Sequence, residues 1–289
     1  MKIAGFSFIK NAEKYDYPIV EAITSILPIC DAFFIAVGNS DDNTLELIKK
    51  IGSDKIIIIE TVWDESLRIG GQVLAEETNK AFDVISEDYD WCFYIQGDEV
   101  VHEKFLPIIV QSMKQNINNK SVEGLLFHYL HFYGSYDYIA TSRSWYRHEV
   151  RIIRNDKNIR SYKDAMGFRK NGNKLNVKLI DAYIYHYGWV KDPVKQQEKL
   201  KNFNKLWHDD SKVREISGDR IEFDYSIIDS LEAFEGEHPS VMKPRIQNKN
   251  WKFSNDLSYK KAGILRKLSE LFERVTGIRV GEYKNYHKI

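Results

Sequence analysis

Four short and nearly continuous apolar runs divide the first hundred residues of the chain: Lys2–Ile9, Ala32–Val37, Lys55–Thr61 and Trp91–Ile95. Such runs are typical of strands that are buried on both faces of a parallel sheet. Helical patterns separate them, over residues 15–27, 43–51 and 70–86. The alternation of strand and helix predicts a doubly wound α/β sheet, in which ligands bind beyond the carboxyl ends of the strands.

The second part of the chain changes character. Three further apolar segments predict strands over Leu125–Tyr133, Glu149–Arg154 and Ile180–Val190, and from Asp192 onward the pattern is polar and mostly helical. With 289 residues, the chain suits one large domain with an appendage. We therefore expect an α/β domain over residues 1–190, with helices flanking a mostly parallel central sheet, and a helical C-terminal extension over residues 191–289.

The last clear helical pattern is amphipathic and basic. It spans residues 262–275, and residues 251–289 carry nine Lys or Arg against four acids. Such a helix can lie on an anionic membrane surface. It can equally pack on its own domain or on a second subunit, as a homodimer contact.

Charge and hydropathy restrict the partners and the location. Basic and acidic residues are equal in number, 42 of each, which argues against nucleic acid as a partner. The N-terminus lacks the pattern of a signal peptide. No apolar run approaches the roughly 18 residues of a membrane span. We expect a cytoplasmic protein, with peripheral contact at the inner membrane face as a further interpretation.

The fourth apolar run ends at Gly97 and is followed by two carboxylates, Asp98 and Glu99. Acids are common where a chain leaves a sheet, so a strand end followed by a helix cap explains them. The alternative is a metal or phosphate site, because the position lies at the carboxyl end of a predicted parallel strand. Carboxylate oxygens are the ligands that Mg²⁺ and Mn²⁺ prefer.

Three segments follow the first, second and fourth strands in order: FIKNAEKYDYP, VGNSDDNTLELI and YIQGDE. In this order and spacing they resemble the loops of family 2 glycosyltransferases of the GT-A fold, bacterial type. The resemblance covers residues 1–190. It implies an inverting hexosyltransferase of polysaccharide biosynthesis, which moves a sugar from a nucleotide-sugar donor to a glycan, lipid-linked or small-molecule acceptor. It also implies a divalent cation, Mn²⁺ or Mg²⁺, that neutralises the leaving diphosphate.

The resemblance assigns roles around the fourth strand. Asp98 matches the last acid of the family's Asp-x-Asp motif and is the predicted metal ligand and catalytic residue. His186, in the segment IYHYGWV, matches a late histidine that completes the metal site, with a core histidine as the equal alternative. Gln96 stands in place of the motif's first Asp and is expected to hydrogen-bond the donor ribose. Glu99 is expected to orient water or a sugar hydroxyl.

The first two loops are expected to bind the nucleotide. Asn11 and Glu13 match the family's first loop, and Ser40 and Asp42 keep positions of its second-loop pattern. Gly38 replaces an Asp that lies near the base in uridine-using relatives, so the nucleotide stays open. A helix N-cap is the structural alternative for the second loop, and both roles are compatible because a helix N-terminus attracts phosphate.

Arg68 and the two glycines at positions 70 and 71 are candidates for binding the donor diphosphate. A guanidinium and free backbone amides both bind phosphate oxygens. A plain helix start explains the glycines equally well.

An inverting transferase needs a general base for the acceptor hydroxyl. The resemblance places this base in SYKDAMGFRKNG, where Asp164 is the candidate. The neighbouring Lys163 and Arg169 are expected to keep Asp164 ionised.

The segment from Tyr133 to Arg154 is rich in aromatic residues with arginines among them, which is typical of a surface that stacks on sugars and binds anionic groups. The predicted acceptor-binding residues are Tyr136, Trp145 and Arg147, together with Trp189 from a later turn. An aromatic cluster beneath a long loop is the alternative.

Two other functions remain open. A nucleotidyltransferase that makes activated sugars can share a related sheet, but the first loop lacks the Gly-rich, basic sequence that holds a triphosphate. A non-catalytic relative that binds glycan or nucleotide would explain Gln96 and Gly38, the two departures from the family pattern.

Overall fold

The computed structural model of the chain describes residues 1–64, 66–67, 70–218, 220–228, 230–257, 272–273, 275–276 and 279–289. Its first part alternates strands and helices in the predicted order: β1 (Ile3–Ile9), α1 (Ile19–Ile26), β2 (Ala32–Gly38), α2 (Thr44–Lys49), β3 (Ile56–Thr61), α3 (Gln72–Asp83) and β4 (Trp91–Tyr94).

The second part is richer in strands: β5 (Glu99–Val101), α4 (Leu106–Asn116), β6 (Gly124–Tyr133), β7 (Ser135–Ala140), β8 (His148–Arg154), β9 (Ile159–Tyr162), β10 (Gly167–Lys170), β11 (Asn173–Lys174) and β12 (Asn176–Trp189). The C-terminal part follows: α5 (Pro193–Lys205), α6 (Asp210–Ser217), β13 (Leu231–Ala233), α7 (Lys243–Gln247) and β14 (His287–Lys288). Short 3-10 turns cover Leu27–Ile29, Glu103–Phe105 and Ser240–Met242.

One sheet of 11 strands forms the centre of the protein. β3, β2, β1 and β4 pair side by side and run parallel, as the apolar runs predict. β8 joins β4 in the antiparallel direction, and β6, β7 and β13 continue the sheet. β12 runs parallel to β6 and carries β5 and β14. The predicted α/β class, with helices flanking a central sheet, is confirmed, and the later strands add antiparallel pairs.

The parallel strands are buried on both faces, which explains their continuous apolar sequence. In β2, Phe33 and Ile35 pack on the side that α1 covers, whereas Phe34 and Ala36 pack on the side that α3 covers. The carboxyl ends of these strands therefore meet at one edge, between two helical layers. That edge carries the loops on which the predicted site residues lie.

The C-terminal part combines helices with two short strands. β13 extends the main sheet through β7, and β14 pairs with β12. The domain division at residue 190 stays a prediction. The amphipathic helix predicted over residues 262–275 falls largely outside the described residues. Within the described ranges, no helix is long and apolar enough to cross a membrane.

Candidate active site

A cavity of about 680 Å³ lies at the carboxyl ends of β1, β2 and β4. Residues of the loops after these strands line it, together with residues of α5. Its volume is within the range of pockets that bind small molecules and cofactors. The structure brings six of the predicted site residues to this cavity: Asn11, Gln96, Asp98, Asp164, His186 and Trp189.

Asp98 is 8% exposed and follows β4 closely. Its Oδ2 accepts a hydrogen bond of 2.9 Å from Lys199 Nζ, and its Oδ1 lies 3.8 Å from His186 Nε2. Burial alone would raise the pKa of the Asp98 carboxyl, but the Lys199 ammonium holds that pKa well below its usual range. Burial would likewise lower the pKa of Lys199, but the Asp98 carboxylate raises it. The pair is therefore ionised.

A second histidine determines which nitrogen of His186 carries the proton. His131 Nε2 lies 2.7 Å from the Tyr146 carbonyl oxygen, which only accepts, so this nitrogen carries hydrogen. Burial lowers the pKa of His131 to about 3, which leaves its Nδ1 as an unprotonated acceptor. His186 Nδ1, 3.0 Å away, must therefore donate to it. Burial also lowers the pKa of His186, so the neutral ring presents the Nε2 lone pair beside Asp98.

Asp98 Oδ1 and His186 Nε2 are thus two electron-pair donors with no hydrogen between them. Histidine metal ligands typically donate their other ring N–H to a fixed acceptor, as His186 does. A Cβ at Gly188 would lie 2.6 Å from His186 Nε2 and 2.8 Å from Asp98 Oδ2, so glycine leaves both side chains room. Within the described ranges, no cluster of three or more His, Cys, Asp or Glu could hold a metal. These two donors therefore fit a divalent cation only with phosphate and water oxygens as its other ligands.

The two remaining residues of the YIQGDE motif face different environments. Gln96 lines the cavity, and its Nε2 donates to Tyr94 Oη and to the Ala165 carbonyl oxygen. Glu99 is fully buried, and the Arg151 guanidinium donates to both of its oxygens, at 2.7 and 2.8 Å. The prediction that Glu99 orients water or a sugar hydroxyl is wrong, because its carboxylate is occupied inside the protein.

The predicted nucleotide-binding residues of the first two loops mainly hold these loops together. Ser40 Oγ accepts from the backbone N–H of Asn11, and Asp42 accepts from the backbone N–H of Lys14. Glu13 accepts from the side chain of the residue before α2. Among the four predicted residues, Asn11 lines the cavity, whereas Ser40, Asp42 and Glu13 do not. Ser40, Asp42 and Glu13 therefore connect the two loops, and their predicted contact with a nucleotide stays a prediction.

Trp63, which no sequence motif indicates, packs beside Gly38. A Cβ at Gly38 would lie 2.4 Å from Trp63 Nε1, so the indole occupies the space that a larger residue would need. Trp63 lines the cavity, with the Phe8 ring centroid 6.0 Å away and Lys10 Nζ 5.6 Å from its ring. Trp63 Nε1 has no hydrogen-bond partner among the described residues. Because this N–H is buried, Trp63 can offer a flat ligand in the cavity only the face of its aromatic ring.

Asp164 lines the cavity from the turn between β9 and β10. Its neighbours Lys163 and Ala165 have φ values of 54° and 60°, a backbone conformation that is strained for residues other than glycine. Burial raises the pKa of Asp164, and the charges of Lys163 and Arg151 only partly oppose it. Lys163 acts in the predicted direction, but desolvation outweighs the neighbouring charges, so the pKa of Asp164 is raised on balance. That Lys163 and Arg169 keep Asp164 ionised stays a prediction.

The backbone amide of Gly71, the second glycine of the pair, is used within the protein. Gly71 has a φ of 70°, and a Cβ there would lie 2.9 Å from Asp164 Cβ. Its N–H donates to the Leu206 carbonyl oxygen at 3.2 Å, so it is not free for phosphate. This supports the helix-start interpretation, since α3 begins at Gln72. Arg68 lies outside the described residues, and its diphosphate contact stays a prediction.

The predicted acceptor residues do not form one surface. Trp189 lines the large cavity. The Trp145 ring lies edge-on to the Trp189 ring, with 5.9 Å between the two ring centroids. Tyr136 is 3% exposed within an aromatic core cluster, so its predicted acceptor role is wrong. The Arg147 guanidinium donates two hydrogen bonds to Glu282, at 2.8 and 2.9 Å. Arg147 is thus already used to hold the C-terminal segment.

Lys199 and Tyr17 also line the cavity, although no motif points to them. Asp192 caps the N-terminus of α5 by accepting from two backbone N–H groups, and Pro193 follows as the first helical residue. These signals predict the helix but not that Lys199 on it is largely shielded from solvent. The partner of Lys199 is Asp98, 101 residues away, and no local pattern indicates such a contact.

Comparisons with known proteins give structural similarity only. No known family profile matches the chain, and no curated protein matches it in sequence. The chain is similar to the structure of S. aureus TarS 1-349 in complex with UDP-GlcNAc, with 14% identity and a TM-score of 0.41, over 75% of this chain and 70% of that chain. In another TarS structure the match covers 39% of that chain, with 14% identity, 70% of this chain and a TM-score of 0.38. The chain is also similar to glucosyl-3-phosphoglycerate synthase from Mycobacterium tuberculosis in complex with Mn²⁺ and UDP-Glc, with 16% identity, a TM-score of 0.31, and 45% of this chain and 44% of that chain covered.

Proposed function

We propose that the protein is an inverting glycosyltransferase that moves a hexosyl group from a nucleotide-sugar donor to an acceptor hydroxyl. The observation that carries this proposal is the convergence of Asp98, His186 and Asp164 on one cavity. This cavity lies at the carboxyl edge of a parallel sheet, where nucleotides bind in sheets of this kind. The ordered motifs of the three strand-end loops support the same activity.

The donor would extend across the cavity from Trp63 to Asp98. Trp63 offers its ring to the base, and Asn11 lies on the loop after β1, which also lines the cavity. Asp98 and His186 would hold a divalent cation, Mn²⁺ or Mg²⁺, together with diphosphate oxygens. When bound, such a cation supplies positive charge to the leaving diphosphate.

Asp164 would act as the general base. Its carboxylate takes the proton of the acceptor hydroxyl while that oxygen bonds to the anomeric carbon. The bond from this carbon to the diphosphate breaks, and the nucleoside diphosphate leaves with the electron pair. Trp189, with Trp145 beside it, offers a stacking surface to an acceptor that is a glycan, a lipid-linked sugar or a small molecule. This activity would belong to polysaccharide biosynthesis.

Replacing Asp164 by Asn is expected to lower kcat about 100-fold or more, because general bases contribute factors of this size. In the wild type, protonation of Asp164 removes the base, so the rate falls as the pH falls. Because burial raises the pKa of Asp164, this decline should lie above the ordinary Asp value of about 3.9. The measurement is kcat/KM against pH for the wild type, Asp164→Asn and the control Asp181→Asn, whose exposed side chain lies on β12. An unchanged acid decline in Asp164→Asn would assign the base to another residue.

The proposed function itself is tested by ligand-dependent thermal stability. UDP, GDP, CDP, dTDP and their common sugar conjugates are each added with Mn²⁺, with Mg²⁺ or with chelator. A ligand that binds only the folded protein raises its Tm by mass action. At a ligand concentration of 100 times Kd, the free energy of unfolding increases by about 2.7 kcal/mol. We expect one nucleotide to raise Tm, and its sugar conjugate to be turned over in the presence of an acceptor. No shift with any nucleotide would favour the non-catalytic alternative, and release of pyrophosphate from a nucleoside triphosphate would favour the nucleotidyltransferase.

A further inference from the structure

Lys199 occupies an unusual position for a lysine. Its side chain is 12% exposed, yet it lines the large cavity from α5. Nζ donates to Asp98 Oδ2 at 2.9 Å and to the Gly188 carbonyl oxygen at 2.9 Å. An ammonium group has three N–H donors. The third has no oxygen partner among the described residues, and Nζ lies 4.8 Å from the centroid of the Tyr17 ring.

A second buried lysine shows what a purely structural role looks like in this fold. Lys191 is fully buried, and its Nζ donates to the backbone carbonyl oxygens of Tyr15 and Asp16, at 2.9 and 3.0 Å. Lys191 does not line the cavity, whereas Lys199 does. Both lysines donate hydrogen bonds to backbone carbonyl oxygens, but of the two only Lys199 has its charge where a ligand can reach it.

Lys199 shares Asp98 with the predicted cation site. It occupies Oδ2, while Oδ1 faces His186 Nε2. A diphosphate that binds a cation held by Asp98 Oδ1 and His186 Nε2 therefore lies close to the Lys199 ammonium, which is bound to the other oxygen of the same carboxylate. A strongly hydrated ammonium on a cavity wall is a recurrent phosphate ligand in proteins.

We propose that Lys199 is a diphosphate-binding residue, a positive charge of the protein itself that holds the donor beside the divalent cation and retains it when that cation is removed. This proposal rests on the proposed function, since it assigns a contact to the same donor site. Asp98 and the Gly188 carbonyl oxygen position the ammonium, and the remaining N–H donates to a phosphate oxygen. The bond-breaking step is unchanged, with Lys199 stabilising the negative charge that develops on the leaving diphosphate.

The test uses pyrophosphate and UDP as probes, titrated calorimetrically into the full chain with EDTA and, separately, with Mn²⁺. The wild type is expected to bind at least one probe in EDTA. Lys199→Met should weaken that binding about 10-fold or more, because it removes a charge-assisted hydrogen bond to a phosphate oxygen. Lys199→Arg should retain part of it. Lys201→Met is the matched control, since it removes the same charge from the same helix at a residue that does not line the cavity.

Lys199→Met leaves Asp98 without its partner, so a second comparison avoids an unpaired carboxylate. Asp98→Asn keeps Lys199 and removes the carboxylate that neutralises its charge. Asp98→Asn/Lys199→Met removes both charges. In EDTA, Asp98→Asn should bind pyrophosphate at least as tightly as the wild type, and the double variant about 10-fold more weakly or not at all.

The outcomes separate this proposal from the proposed function. Binding that requires Mn²⁺ and is equal in Lys199→Met and Lys201→Met would overturn the role of Lys199 and leave the nucleotide site intact. Absence of binding by either probe under both conditions would overturn both.

Discussion

Replacing Asp98 by Asn is expected to reduce sugar transfer by about 10²–10³-fold, the loss that follows removal of one preorganised charge-stabilising group from an active site. In the wild type, Lys199 Nζ lies 2.9 Å from Asp98 Oδ2. Asn keeps an oxygen that can accept this hydrogen bond. It removes the negative charge that, with the His186 lone pair, fits a cation. Transfer and the Mn²⁺-dependent part of the nucleotide-induced Tm increase should therefore be lost together.

The control for Asp98→Asn is Asp83→Asn, which removes one carboxylate charge at the end of α3, where Asp83 pairs with Arg160 at the surface. This variant should keep wild-type turnover, because surface ion pairs contribute little. Turnover and the Mn²⁺ response are measured in parallel with the Tm of the ligand-free protein. If Asp98→Asn kept both turnover and the Mn²⁺ response at an unchanged Tm, the cation site would lie elsewhere.

The parallel half of the fold could be predicted because the feature that determines each strand lies within the short segment that forms it. Strands buried on both faces need uninterrupted apolar sequence, and residues 2–9, 32–37, 55–61 and 91–95 have it. The observed strands begin and end within one residue of these runs. The antiparallel strands β7, β9 and β10 could not be predicted in this way. Their residues are half-buried, and their pairing depends on contacts between distant segments.

The candidate site was predictable where a residue lies at a strand end and not where its role depends on distant neighbours. Asp98 and Asp164 reach the cavity as expected. Glu99, next to Asp98, points into the protein because a buried arginine from β8 holds it. Burial raises the pKa of Asp164, whereas its basic neighbours in sequence alone would suggest a lowered pKa. Lys199 is visible only once α5 is placed against the sheet.

Replacing Arg151 by Met is expected to lower the free energy of unfolding by about 3–5 kcal/mol. Arg151 and Glu99 are both fully buried and joined by two hydrogen bonds. Glu99 also accepts from Tyr129 Oη at 2.7 Å and from the Gln96 backbone N–H at 3.1 Å. Met fills much of the volume but leaves the Glu99 carboxylate buried without a counter-charge. Since domains are stable by only about 5–15 kcal/mol, urea unfolding should show a much lower midpoint.

Two controls identify burial of the unpaired charge as the cause. Arg160→Met breaks a pair with Asp83 whose side chains are 40% and 50% exposed, and it should cost less than about 1 kcal/mol. Glu99→Gln/Arg151→Met removes both buried charges and should recover part of the stability that Arg151→Met loses, because a neutral amide is cheaper to bury than a lone carboxylate. Equal losses in Arg151→Met and Arg160→Met would contradict this explanation. So would a double variant less stable than Arg151→Met, since the loss would then come from packing and hydrogen bonds rather than from charge.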